Sequence, residues 1–115
     1  MRGWVLGLGL ALAIAVPSPV AGSPRADQLG LEVPRGSKVT GDQLWSSALG
    51  FRKTVEFYER LLKRKGLAHE AVPIYGYRGV TVARFISTAA GTRWRAIHVF
   101  HRRGATRIYL VPGSS

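Results

Sequence analysis

Three residues that could act together on a phosphate occur in order in the second half of the chain. They are Glu70, Arg84 and His98, with His101 as an alternative to His98. A carboxylate can serve as a general base, a guanidinium can hold a phosphate, and an imidazole can serve as a general acid. Because order alone is weak geometric evidence, this catalytic set is an alternative to the other chemistry in the sequence.

Arginines interleaved with aromatic residues form a second candidate site near the C-terminus. From Ala71 onward the chain has seven Arg and no Asp or Glu. A field of one sign raises the affinity for polyanions without selecting among them. Aromatic rings can also stack on bases or sugars while guanidinium groups bind phosphate or carboxylate. The candidate binding residues are Trp94, Arg95, His98, Phe100, Arg107 and Tyr109.

The sequence contains no pattern typical of a metal site, a cofactor site or a catalytic nucleophile. The chain has no Cys, which excludes disulfides, thiolate metal sites and a Cys nucleophile. His98 and His101 are three residues apart, so on a strand they should point to opposite faces and cannot share one ion. No Ser lies in a nucleophile-elbow pattern, and no glycine-rich turn matches a phosphate-binding loop. We therefore expect no metal site and no cofactor.

Residues 1–22 have the composition of a secretory signal peptide. A short basic start precedes an uncharged apolar run that ends at Val16. As a helix this run would rise about 20 Å, less than the roughly 30 Å of a bilayer core. Pro17 and Pro19 end any helix, and small residues follow as far as Gly22. We expect an exported protein, periplasmic or extracellular, without a transmembrane span after cleavage; an uncleaved anchor is the alternative.

The rest of the chain divides into a leader and one domain. Residues 23–37 are polar and are interrupted by proline and glycine, which predicts a flexible leader whose Leu29, Leu31 and Val33 could lie on the domain. The whole chain is 46% hydrophobic over 115 residues, so residues 38–115 can form a single packed domain. The formal charge of the whole chain, +11, indicates an anionic partner without naming one.

One amphipathic helix and several strands are predicted within that domain. An apolar stripe predicts a helix over residues 51–65, ended by Gly66. A strand over Lys38 to Ser47 precedes the helix, and strands rich in β-branched and aromatic residues follow it. Pro73 makes the first of these an edge strand or a broken strand. The predicted fold is α+β, with the order β-α-β-β-β-β and the helix packed on a four- to five-stranded, mainly antiparallel sheet.

The last predicted hairpin separates the two faces of this sheet. A two-residue turn at Arg103-Gly104 would place Ile97 opposite Leu110 on an aliphatic face under the helix. The other face would carry the aromatic and basic residues, extended by Phe85 or Arg84 from the preceding strand. With only one helix available, this second face has no evident cover, although the leader, a loop or a second subunit could supply one.

Two resemblances accompany these patterns. Residues 51–58 (FRKTVEFY), then Leu61-Leu62, Gly66, Ser87 and residues 94–99 (WRAIHV), resemble small exported bacterial α+β domains of unassigned function. This resemblance implies the fold and no activity. The order Glu70, Arg84, His98 resembles secreted microbial ribonucleases, in which a helix precedes an antiparallel sheet. That second resemblance implies RNA cleavage, but the other motifs of the family are missing from this sequence.

These features favour a non-enzymatic, exported module that binds an anionic envelope component or a partner protein. The expected partners are an anionic polymer, a lipid headgroup, a partner protein or a second copy of the chain on the uncovered sheet face; no specific nucleic acid is predicted. A ribonuclease-like enzyme and a structural homodimer remain the alternatives.

Overall fold

A computed structural model describes residues 25–113, which form one α-helix on a six-stranded antiparallel sheet. The sheet order is β1-β2-β6-β5-β4-β3. A 3₁₀ turn over Ala26–Leu29 comes before the sheet. The elements are β1 (Lys38–Gly41), β2 (Leu44–Ser46), α1 (Phe51–Lys65), β3 (His69–Tyr77), β4 (Val80–Ser87), β5 (Trp94–Arg102) and β6 (Ala105–Pro112). The predicted α+β class is confirmed.

The sheet has more strands than predicted because the segment before the helix forms a hairpin and not a single strand. β1 and β2 pair antiparallel across a short turn at Asp42 and Gln43. Gln43 has a φ of 60°. This left-handed conformation is usually marked in a sequence by Gly or Asn, and neither occupies this turn. Gly41 and Asp42 directly before Gln43 are turn-forming residue types, so the sequence does carry a turn signal here, one that the prediction of a single strand left out.

Helix α1 begins and ends at the predicted residues. Its buried face includes Val55, Tyr58, Leu61 and Leu62, in agreement with the helical spacing of these residues. Gly66 follows the helix with a φ of 65°. Its N–H donates to the Lys63 carbonyl oxygen at 3.1 Å, and this left-handed end is the reason a glycine suits the position.

The β5–β6 hairpin has the predicted register. Arg103 and Gly104 have φ values of 53° and 78°, which is the two-residue turn that matches the twist of antiparallel strands. Ile97 therefore lies opposite Leu110. Both side chains are fully buried in the core, as are those of Val99 and Ile108, the next pair along this face. This aliphatic face packs under α1 as expected.

The segment that precedes β1 adds residues to the same core. Leu29 and Leu31 are buried, and Val33 packs partly against the core. The Tyr58 hydroxyl donates to the Glu32 carbonyl oxygen at 2.8 Å. Burial, and then the nearby Glu32 carboxylate, raise the pKa of Tyr58 above its ordinary value, so the hydroxyl stays protonated as this donor.

Glu32 also pairs with the basic end of the helix. Its carboxylate oxygens lie 3.6 Å from Nη2 of Arg64 and 3.6 Å from Nζ of Lys65. Part of the positive charge of α1 is therefore compensated within the fold. Exposed pairs of this kind contribute little to stability.

The predicted signal peptide, residues 1–22, lies outside the described residues. Within residues 25–113, no helix has the length and apolar character that a membrane span requires.

Candidate anion-binding site

The sheet face that points away from α1 combines aromatic, aliphatic and basic side chains. No helix of residues 25–113 lies on it, and we call it the open face. Alternation along the paired strands assigns its residues. They are Leu44 and Ser46 of β2, Arg107, Tyr109 and Val111 of β6, Ala96, His98, Phe100 and Arg102 of β5, Val80, Val82, Arg84 and Ile86 of β4, and Glu70, Val72, Tyr75 and Tyr77 of β3.

Four of the six predicted binding residues lie together on the open face: His98, Phe100, Arg107 and Tyr109. His98 is opposite Tyr109 and Phe100 is opposite Arg107, so each neighbouring pair contains at least one ring. Tyr109 is 38% exposed, and Arg107 is also exposed. The structure therefore brings together the central part of the predicted surface.

Trp94 lies on the opposite side of the sheet from the predicted one. The pairing of β5 with β6 shifts between Trp94 and Ala96, which places one extra residue, Arg95, in β5. Such a bulge reverses the alternation of side chains beyond it. Trp94 is consequently buried in the core with the residues under α1. Arg95 is exposed beside a small depression that borders the loop of residues 89–92.

A row of polar and aromatic side chains crosses the middle of the open face. Tyr109, His98 and Arg84 are aligned on β6, β5 and β4. The rings of His98 and Tyr109 meet edge to face, with centroids 5.9 Å apart. The guanidinium carbon of Arg84 lies 6.0 Å from the ring centroid of Tyr75, within the range of a cation–π contact. Arg84 therefore extends this face, whereas Phe85 is buried on the helix side.

Arg84 has no acidic partner among the described residues. The ion pairs within residues 25–113 join Arg25 to Asp27, and Arg64 and Lys65 to Glu32. The Nε of Arg84 is buried and lacks a hydrogen-bond partner. Because this nitrogen is inaccessible, an external anion could meet only the parts of the half-buried Arg84 side chain that remain exposed.

His98 is neutral beside this arginine. Its partial burial, and then the positive charge of Arg84, lower the pKa of His98 below its ordinary value. An imidazole with a lowered pKa is uncharged at neutral pH. In the central row, Arg84 therefore supplies the positive charge and His98 supplies a polar ring.

Three arginines surround a cleft where the β5–β6 hairpin ends. The cleft has a volume of about 540 Å³, and we call it the arginine cleft. Its lining residues are Val80, Phe100, Arg102, Arg103, Ala105 and Arg107, so no carboxylate is among them. Guanidinium groups on an apolar wall suit an anion that also carries an apolar or aromatic part.

Arg102 and Arg103 were not among the predicted binding residues. The acid-free C-terminal sequence pointed to arginines in general, and the register correctly placed Arg107 beside Phe100. The position of Arg103 depends on the turn, where its φ of 53° brings it to the cleft. Strand alternation does not extend through such a turn, so it could not assign Arg103 to either face.

The alternative catalytic set also lies on the open face. Glu70, Arg84 and His98 occupy β3, β4 and β5, which are adjacent strands. Adjacent strands are about 4.8 Å apart and two residues span roughly 6.7 Å, so the Cα atoms of Glu70 and His98 are about 12 Å apart. Side chains on those backbones could flank a phosphate group. His101, the second candidate acid, lies on the helix side, where its Nδ1 is 2.9 Å from Oγ1 of Thr106.

The histidines are separated as the sequence predicted. His98 is on the open face, and the ring of His101 lies 6.1 Å from that of Phe51 of α1. Nδ1 of His69 lies 2.8 Å from the Leu67 carbonyl oxygen. Within residues 25–113, no three His, Asp or Glu side chains are grouped so that they could hold a metal ion.

Comparisons of the chain with protein-family models, with curated proteins and with solved structures found no match. Function is therefore inferred from the geometry and charge of the open face.

Proposed function

We propose that this protein is an exported, non-enzymatic module that binds an anionic envelope component through its open face. Export depends on the predicted signal peptide. The observation that carries the binding proposal is a set of arginines that form no ion pair within residues 25–113: Arg84 in the centre of the open face, and Arg102, Arg103 and Arg107 around the cleft at its end.

The charge of the open face differs in kind from the charge at the end of the helix. Arg64 and Lys65 have Glu32 as an internal partner. By contrast, none of the ion pairs among the described residues involves the arginines of the cleft. Unpaired guanidinium groups on one surface attract anionic polymers and bind phosphate or carboxylate through paired hydrogen bonds. The exposed rings of Tyr109 and Tyr75 add contact area for the attached part of the ligand.

Substitutions at Arg107 and Tyr109 test this proposal. We expect Arg107→Glu to lower the salt concentration that elutes the protein from heparin, and to weaken its binding to lipopolysaccharide, because it places a negative charge in the cleft. Tyr109→Ala should have a smaller effect, since it removes a contact surface but no charge. Retention on a heparin column and co-sedimentation with lipopolysaccharide measure both effects.

The matched control is Arg60→Glu, which makes the same charge change at an exposed position of α1. If binding depends on the open face, Arg60→Glu should have much less effect than Arg107→Glu. Equal effects would show that net charge alone determines retention and would contradict the assignment of the site.

A ribonuclease is the second candidate, and one observation favours it: Glu70, Arg84 and His98 lie on the same face of three adjacent strands. If the protein cleaves RNA with Glu70 as the base and His98 as the acid, Glu70→Ala and His98→Ala should each lower the rate by about 10²-fold or more. Because the pKa of His98 is lowered, the reaction should also be faster below neutral pH, where His98 carries the proton. His101→Ala should keep most of the activity, because His101 lies on the other side of the sheet. Cleavage of a labelled oligoribonucleotide measures this, and no cleavage by the unaltered protein excludes this candidate.

A further inference from the structure

We infer that the ligand of the open face is single-stranded nucleic acid, with bases stacked on its rings and phosphates bound by its arginines. This inference depends on the proposed anion-binding function, and it narrows the anionic envelope component to extracellular nucleic acid that is bound without sequence preference.

The rings of the open face distinguish among anionic ligands. Tyr75, Tyr77 and Tyr109 are 45%, 65% and 38% exposed, and Phe100 lines the arginine cleft. Aromatic side chains stack on any base because every base has a π-face, and the resulting affinity tolerates many sequences. A lipid headgroup offers no ring, and a sulfated sugar offers the C–H groups of a puckered ring but no flat π-face, so it stacks less extensively than a base. Rings exposed on an antiparallel sheet backed by a helix therefore favour unpaired bases as the ligand.

Two neighbouring rows of the open face each contain a ring and a cation. In one row Tyr109 and His98 accompany Arg84, and in the next row Phe100 accompanies Arg107. The two rows are two residues apart along β5, which is roughly 6.7 Å. Each row thus offers a ring and a positive charge. A single strand likewise carries one base and one phosphate in each nucleotide, which match the ring and the positive charge of a row.

A duplex fits this surface less well than a single strand. In a duplex the bases are stacked on one another, and only their edges are accessible in the grooves. The rings of Phe100 and Tyr109 could then contact no base face, so only the arginines would contribute. We therefore expect duplex DNA to bind through charge alone.

Oligonucleotides with equal numbers of phosphates test the inference. Fluorescence anisotropy would compare a labelled twelve-residue thymidine DNA strand with an abasic strand of the same length, using DNA because a ribonuclease cannot cleave it. We expect the thymidine strand to bind about 10-fold more tightly or better, since one stacked base contributes about a factor of ten. A DNA duplex and heparin serve as competitors that present charge without accessible base faces.

Ring substitutions complete the experiment. Tyr109→Leu and Phe100→Leu should weaken the binding of the thymidine strand more than that of the abasic strand, and so reduce the advantage of the thymidine strand. Phe57→Leu, which removes a ring on the helix, is the control and should keep the advantage. Circular dichroism confirms that each variant is folded.

The outcomes separate the inference from the proposed function. Equal affinity for the thymidine and abasic strands, or tighter binding of heparin than of the thymidine strand, overturns the inference while anion binding by the open face stands. Failure of every polyanion to bind overturns both.

Discussion

Leu31→Ala is expected to lower the free energy of unfolding by about 2–5 kcal/mol, the usual cost of removing most of a fully buried leucine side chain. Leu31 is only 1% exposed and belongs to the core cluster under α1. It lies before the first strand, in a segment whose composition predicts a flexible leader. A loss of this size would show that the segment stabilises the domain. Urea denaturation followed by circular dichroism measures the change.

Val39→Ala is the control for this prediction. Val39 is an aliphatic residue of β1 that is 59% exposed, so its truncation should change stability by less than about 0.5 kcal/mol. The hydrogen bond from the Tyr58 hydroxyl to the Glu32 carbonyl oxygen supports the same stabilising role of the segment, because it holds the backbone directly after Leu31. A change for Leu31→Ala as small as the one for Val39→Ala would contradict this role.

The combined replacement of Arg102, Arg103 and Arg107 by glutamine is expected to weaken polyanion binding by about 30-fold near physiological salt. Exposed charge pairs contribute roughly 0.2–1 kcal/mol each, so three of them contribute about 2 kcal/mol, which corresponds to that factor. Glutamine keeps much of the side-chain length and polarity while removing the charge. Anisotropy with the thymidine strand at constant ionic strength measures the loss.

The control removes the same charge from the other side of the molecule. Arg52, Arg60 and Lys63 are exposed residues of α1. Their combined replacement by glutamine, the helix variant, has the same net charge as the cleft variant, in which Arg102, Arg103 and Arg107 are replaced. We expect a loss of only a few-fold, because charges on the helix are separated from the open face by the sheet and are screened beyond roughly 8–10 Å. Similar losses for both variants would mean that binding follows total charge.

The sequence predicted the helix and the hairpin whose patterns lie within short stretches of the chain. The apolar stripe of α1 and the glycine after it determined both helix ends, and the turn at Arg103-Gly104 determined the register of β5 and β6. That register in turn identified His98, Phe100, Arg107 and Tyr109 as neighbours on one face. Periodicity and turn chemistry suffice for such features because both depend on residues close together in the chain.

Features that depend on tertiary packing or on irregular backbone were not predicted. The bulge after Trp94 moves that ring from the open face into the core, and nothing in the surrounding residues marks the extra residue. The left-handed Gln43 similarly divides one predicted strand into two. The arginine cleft is lined by Arg103 from the turn as well as by Arg107 from β6. In each case one backbone conformation decides which side chains meet.

The salt dependence of binding tests the role of the open face most directly. Each phosphate contact on a single strand contributes about 0.7 to the slope of log K against log salt concentration. Because this slope reports contacts made by charge, the thymidine strand serves as a probe whatever the natural anion is. If the ligand binds at the open face, replacing Arg102, Arg103 and Arg107 by glutamine should lower the slope by about 2, and replacing Arg52, Arg60 and Lys63 should leave it unchanged. An unchanged slope in the cleft variant, or an equal decrease in the helix variant, would contradict binding at the open face.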